Sequence, residues 1–374
     1  MRTKGVSLIS KGKGRRPPEE GFRSILVRGT NWIGDCVCSL PALRVIRQSF
    51  PSAKITLMVK PWVAGIYQPS KLIDYLLTYD RRGEYKGAKG FFTAVRRLKE
   101  GGYELAILFQ NAFEAAALSF LARVPHRWGY ATDGRGFLLT RALPVNRETL
   151  SRHHVYYYLE LLRGLGIADE APPQMELLVD EGVRERMKRL LSHSGVDWEK
   201  PLVGINPGAA FGTAKRWLPE RFAEVADRLM QSVGCPVVVV GSARERGIAR
   251  EMTSSMKRPP IVLTGETTLQ ELIAVISLSK LFISNDSGPM HLAAALRVPT
   301  IGIFGPTDER ITSPWGKGHT VVSRQLDCRP CQLADCPTDH QCMRGITAEE
   351  VYSVAQQKLM RTEGLNSADK EKAL

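Results

Sequence analysis

The chain has 374 residues, 43% hydrophobic and 24% charged, with a formal charge of +14. That length suits two domains better than one, and the apolar share is enough for a sizeable core. No apolar run reaches the roughly 18 residues of a transmembrane helix, no apolar signal core opens the chain, and the charge favours an anionic partner: nucleic acid, a membrane surface, or a nucleotide with a phosphorylated acceptor.

Residues 1–21 read as a basic flexible tail. Lys4, Lys11, Lys13, Arg15 and Arg16 sit among glycines ahead of Pro17-Pro18-Glu19-Glu20, a composition that cannot build a core. The pattern then predicts strands at 24–28, 53–59, 73–77 and 105–109. A glycine-containing loop at 29–35 and a helix through 43–47 follow the first strand, and a basic helix at 91–98 precedes the fourth. Residues 126–146, rich in Arg, Gly and aromatics, read as a loop. A helix carrying His154, Tyr157, Tyr158, Leu161 and Leu162 comes next, Pro172-Pro173 interrupts, and a helix resumes at 181–192.

A second alternation starts with a strand at 202–206 and a long loop at 207–217. Leu218, Phe222, Val225, Ala226 and Leu229 recur at helical spacing. Strands at 236–240, 261–265, 280–283 and 300–304 and helices at 269–278 and 289–296 complete it. Strands alternating with helices mean a mostly parallel α/β sheet, and ligands bind at the carboxyl ends of such strands. Asp35, Lys215, Glu245 and the turn at 285–291 all fall on such ends. In that turn, Gly288 lets a ligand approach the backbone, Pro289 starts a helix whose free N–H groups suit phosphate, and Asp286 and His291 flank the opening. Neither a Walker loop nor a G-x-G-x-x-G turn is present, which argues against a P-loop or dinucleotide enzyme.

Several stretches together resemble the ADP-heptose–lipopolysaccharide heptosyltransferase II group of glycosyltransferase family 9. They are Val27-Arg28-Gly29-Thr30-Asn31-Trp32-Ile33-Gly34-Asp35, the run from Gly129 to Leu139, Asn206-Pro207-Gly208-Ala209 with Ala214-Lys215-Arg216-Trp217, the run from Ser284 to Ala294, and Phe304-Gly305-Pro306-Thr307-Asp308. The resemblance covers roughly residues 22–360. It implies a GT-B fold, two Rossmann-like domains facing a central cleft. Residues 22–185 would be the acceptor-binding domain and 195–345 the ADP-sugar-binding domain, with a helix at 347–361 packing back on the first domain. The implied reaction moves L-glycero-D-manno-heptose from ADP-heptose to the first heptose of the lipopolysaccharide inner core, with inversion and no catalytic metal or other cofactor. Asp35 matches the catalytic aspartate. Lys215 matches a phosphate-contacting lysine, and Asp286, Ser287, Gly288, Pro289, Met290 and His291 the donor-binding motif. Glu245 aligns with a ribose-binding position. The protein is then expected in the cytoplasm, peripherally associated with the inner face of the cytoplasmic membrane where its acceptor lies.

Cys328, Cys331, Cys336 and Cys342 cluster as C-x2-C-x4-C-x5-C. A structural zinc is one reading and free thiols the other, because the later spacings match no standard zinc or iron–sulfur pattern. Cys36, Cys38 and Cys235 read as reduced buried thiols. Nucleic acid is not expected as a partner, since no reading motif is present and the basic residues are spread along the chain. The alternatives are a family member with a different acceptor and a nucleotide-sugar epimerase of GT-B fold.

Overall fold

A computed structural model describes residues 21–167 and 172–371, with side chains described through residue 360. The basic tail expected at 1–21 lies, but for Gly21, outside the described residues. Two six-stranded sheets, all parallel, form the frame. The first has the order β3-β2-β1-β4-β5-β6, with β1 Ser24–Arg28, β2 Lys54–Val59, β3 Tyr75–Thr78, β4 Leu105–Leu108, β5 His126–Tyr130 and β6 Arg141–Leu143. The second has the order β12-β11-β10-β7-β8-β9, with β7 Val203–Asn206, β8 Val237–Val239, β9 Ile261–Val262, β10 Leu281–Asn285, β11 Thr300–Phe304 and β12 Thr320–Ser323.

Parallel strands need covering on both faces, which is why the central runs of each sheet are mostly apolar. Ile25, Val27, Ile55, Leu57 and Ile107 point to one layer of helices, while Leu26, Met58, Ala106 and Leu108 point to the other, against Ala94, Leu98 and Leu118. The second sheet repeats the scheme. Val203, Ile205, Ile283, Ile301 and Ile303 face one core, and Val238, Val240 and Phe282 the other.

Some expectations need correction. Residues 126–146 are not a loop: β5 and β6 pair in parallel there. Trp128 and Tyr130 are buried, and the arginines that suggested a loop spend their donors on carbonyls. Arg127 Nε donates to Leu138 O at 2.7 Å and Arg135 Nε to Tyr130 O at 3.0 Å. Between the sheets, Glu181–His193 packs on Leu269–Leu278, with Val183, Met187 and Leu191 in the apolar cluster that reaches both halves. The final helix, Ala348–Glu371, packs on Pro219–Ser232, β10 and β11 of the second sheet rather than back on the first domain as expected. Val351, Ala355 and Leu359 fill that core, and Tyr352 Oη donates to Ser232 Oγ at 3.0 Å.

Candidate active site

The first strand of one sheet and the fourth of the other end against each other. After β1 the chain enters the short helix Ile33–Cys38, and after β10 the helix Gly288–Ala295; the two pack together at their starts. Both contacts need glycine. A Cβ on Gly34 would lie 2.9 Å from His291 Cδ2, and one on Gly288 2.8 Å from Ile33 Cβ. Gly34→Ala is therefore expected to force the helix starts apart at a cost of about 1–3 kcal/mol, the usual penalty for overpacking. A thermal melt checks this, and an unaltered melting temperature would mean that the seam does not hold this contact.

Asp35 lies in the first turn of its helix but does not cap it. The capping position is Trp32, and no side-chain cap bond is made. The carboxylate faces His154, with Oδ1 3.9 Å from Nε2. Burial raises its pKa, while the charges of His154 and Lys215 act in the opposite direction.

On the facing domain, Lys215 Nζ donates to Asp286 Oδ2 at 2.7 Å, with the lysine side chain 15% and the aspartate 4% exposed. Thr307 Oγ1 donates to the same oxygen at 2.7 Å and Thr312 Oγ1 at 3.4 Å. The loop carrying Lys215 is fixed from behind by Asn285, whose Oδ1 accepts from Trp217 N at 3.0 Å and whose Nδ2 donates to Pro207 O at 2.8 Å. Ser287 Oγ donates to Asn206 Oδ1 at 2.9 Å, joining the ends of β7 and β10. His291 is buried at the seam, Nδ1 has no partner, and desolvation pushes its pKa down to about 4. At neutral pH the ring is uncharged.

Lys215, Asp286, Ser287, Gly288 and His291 are thus gathered at one strand edge beside Asp35, and Pro289 occupies the first turn of its helix. The Met290 side chain is not part of that surface. It is fully buried, with its sulfur against Gly302 of β11, and serves the core. Glu245 sits over Gly208 of the Lys215 loop, where a Cβ would collide with it. Its Oε2 accepts from Ser242 N at 2.7 Å and Ser242 Oγ at 2.8 Å in a capping box. Sequence reasoning assigned no role to Thr307, Thr312, His153 or His154. Thr307 was in view, inside the run Phe304-Gly305-Pro306-Thr307-Asp308, but His154 read as a helix residue and His153 carried no signal of its own.

The four clustered cysteines line one cavity of about 270 Å³ together with Arg329, Asp339 and His340. Among the described residues no three His, Cys, Asp or Glu side chains are grouped so as to hold a metal ion, so the zinc reading finds no formed site. Cys36, Cys38 and Cys235 are buried free thiols.

Two facing Rossmann-like sheets with polar strand ends turned to a common cleft make the GT-B architecture. Solved structures agree. The E. coli ADP-heptose lps heptosyltransferase II superposes with a TM-score of 0.77 at 26% identity, over 91% of this chain and 99% of that one. A glycosyl transferase family 9 structure from Veillonella parvula DSM 2008 gives 0.81 at 24%, over 91% and 98%. The chain belongs to glycosyltransferase family 9 (heptosyltransferase), whose family model matches residues 92–341. It is 31% identical to lipopolysaccharide heptosyltransferase 2 of Salmonella typhimurium strain LT2, over 87% of this chain and 96% of that one. With the enzyme of the same name from Escherichia coli K12 the identity is 28%, over 91% and 99%. The protein is therefore a glycosyltransferase.

Proposed function

We propose that the protein transfers heptose from ADP-heptose to a heptose of the lipopolysaccharide inner core, with inversion. The observation that carries this is the meeting, at facing strand ends, of an acidic group from the first domain with a cation and a helix start from the second. Asp35 is the general base. The acceptor hydroxyl gives its proton to an Asp35 oxygen as its own oxygen bonds to the anomeric carbon; the bond from that carbon to the phosphate oxygen breaks, and ADP leaves with the electron pair. Lys215 and the backbone N–H groups at the start of Gly288–Ala295 hold the diphosphate. Ser287 and Asp286 shape its cradle, His291 offers a neutral ring to the sugar, and Glu245 reaches the ribose.

In this reading the first sheet, with its helices up to about residue 167, receives the acceptor and the second sheet binds the donor. No helix among the described residues is long and apolar enough to cross a membrane. A lipid-linked acceptor would then be met at the inner face of the cytoplasmic membrane by a peripheral enzyme. Exposed Trp32, Trp62, Phe113 and Phe137 follow β1, β2, β4 and β5, all at the carboxyl edge of the first sheet. Such side chains suit a boundary between apolar and wet surroundings.

The test is incubation of the pure protein with ADP-heptose and a core-truncated lipopolysaccharide in excess chelator, read by mass. The expected product is one heptose heavier, because Lys215 and a helix start take the phosphate role a metal would fill. Loss of turnover in a chelated protein that stays folded would remove the metal-free part of the proposal. Conversion of the donor without acceptor would favour an epimerase instead.

A further inference from the structure

Beside Asp35 stands a histidine that the proposed reaction does not use. His154 opens the helix His154–Gly164, which packs against the helix carrying Asp35. Its ring is held on two sides. It stacks on Tyr158 at 5.5 Å and 21°, and meets Tyr157 edge-on at 5.6 Å. Tyr158 is buried, and the Tyr157 hydroxyl is pinned by Asn111 Nδ2 at 2.8 Å. The clamp points Nε2 at two groups, the Tyr158 hydroxyl at 3.3 Å and Asp35 Oδ1 at 3.9 Å. Core packing alone would not require a ring nitrogen directed at a half-buried carboxylate.

We propose that His154 is a positioning residue that keeps Asp35 ionised and turned toward the acceptor as the pH falls. This rests on reading Asp35 as the general base. Several other groups act on that carboxylate. Lys215, from the loop after β7, favours its charge, whereas burial against the helix of Tyr157, Tyr158 and His154 opposes it. Cys38 and Tyr67 are neutral neighbours whose ionisation Asp35 itself disfavours. His291 is held uncharged by burial. Of the groups facing Asp35, the imidazole at position 154 is the one whose ring nitrogen is directed at the carboxylate, and its charge acts to lower the Asp35 pKa. The sign follows. Burial raises the carboxylate pKa, a neighbouring imidazolium lowers it, and the base is lost as pH falls through the folded value. Removing the imidazole must move that loss to higher pH.

The experiment compares the acid limb of kcat/KM for the full chain and for His154→Gln and His154→Lys, with ADP-heptose and truncated lipopolysaccharide. The expected result is an upward shift of about one pH unit in the glutamine protein, the effect of removing an opposite charge at this distance, and its reversal by lysine. A purely structural histidine would lower rates at every pH and leave the limb in place. Coincident limbs for wild type and His154→Gln, with Asp35→Asn inactive, would overturn this proposal and leave the base assignment standing. Normal turnover by Asp35→Asn would overturn both. Should the glutamine protein fail to fold, NMR titration of His154 decides, since the midpoint must fall in Asp35→Asn by linkage; an unchanged midpoint would overturn the proposal.

Discussion

Asp35→Asn is expected to give a folded protein with near-normal ADP-heptose affinity and a turnover at least about 10²-fold lower, the usual contribution of a positioned base. Asparagine keeps the size and hydrogen-bonding capacity of the side chain but cannot accept the proton. An aspartate so near a helix start invites a simpler account, a cap whose loss costs about 1 kcal/mol. The geometry speaks against it, because the cap position belongs to Trp32 and no side-chain cap bond is present. Steady-state rates, donor calorimetry and a melting curve on the same preparation separate the two accounts. Turnover close to normal would remove Asp35 from the chemistry.

Lys215→Ala is expected to weaken ADP-heptose binding by about 10- to 150-fold, the loss of a charge-assisted hydrogen bond worth about 1.5–3 kcal/mol. It should also destabilise the fold. Asp286 is almost fully buried, and among the described residues its ion pair is with Lys215, with the hydroxyls of Thr307 and Thr312 donating to the same oxygen. Breaking such a pair from one side costs about 3–5 kcal/mol, because the other charge stays buried. The uncompensated carboxylate would then repel the donor diphosphate as well. The double substitution Lys215→Met with Asp286→Asn separates these effects: stability should largely return, and donor affinity should not. Calorimetry and urea unfolding measure both, and an unchanged donor affinity in Lys215→Ala would place the diphosphate elsewhere.

Much of the frame was legible because parallel strands announce themselves as unbroken apolar runs. β1, β2, β4, β7, β8, β10 and β11 all read that way. β5 and β6 did not, because arginine carries both charge and reach. Arg141 lies over the Trp128 ring at 4.7 Å and donates to Leu165 O at 2.8 Å, so a residue that looks solvated in sequence ties the edge strand down. β12 also went unread, three of its four residues being only partly buried. At the site, Asp35, Lys215, Asp286 and His291 were visible through their runs of neighbours. Met290 shared such a run, but its side chain turns into the core, since adjacent residues on a helix point in different directions. The pairing of His154 with Asp35 was hidden for the opposite reason, more than a hundred residues separating them in the chain.

The docking of the last helix on the second sheet has a consequence for how such an enzyme could be taken apart. Side chains through Leu359 stay with that sheet, so among the described residues the chain passes from one half to the other only once, ahead of Glu181. What else joins the halves is contact, including the Gly34–His291 seam, the His153 ring bonded to Ser313 O at 2.8 Å, Trp315 Nε1 on Pro173 O at 3.2 Å, and Gly65 against Leu269 and Gln270. A recombination point in the stretch before Glu181 would exchange a whole half, and the apolar cluster that runs from Val63 and Ile66 of the first half to Leu272, Ile273 and Leu292 of the second would have to re-form between unmatched partners. Hybrid enzymes built there would inherit each sheet whole, and their faults would concentrate in that shared cluster and in the polar side chains that touch across the seam.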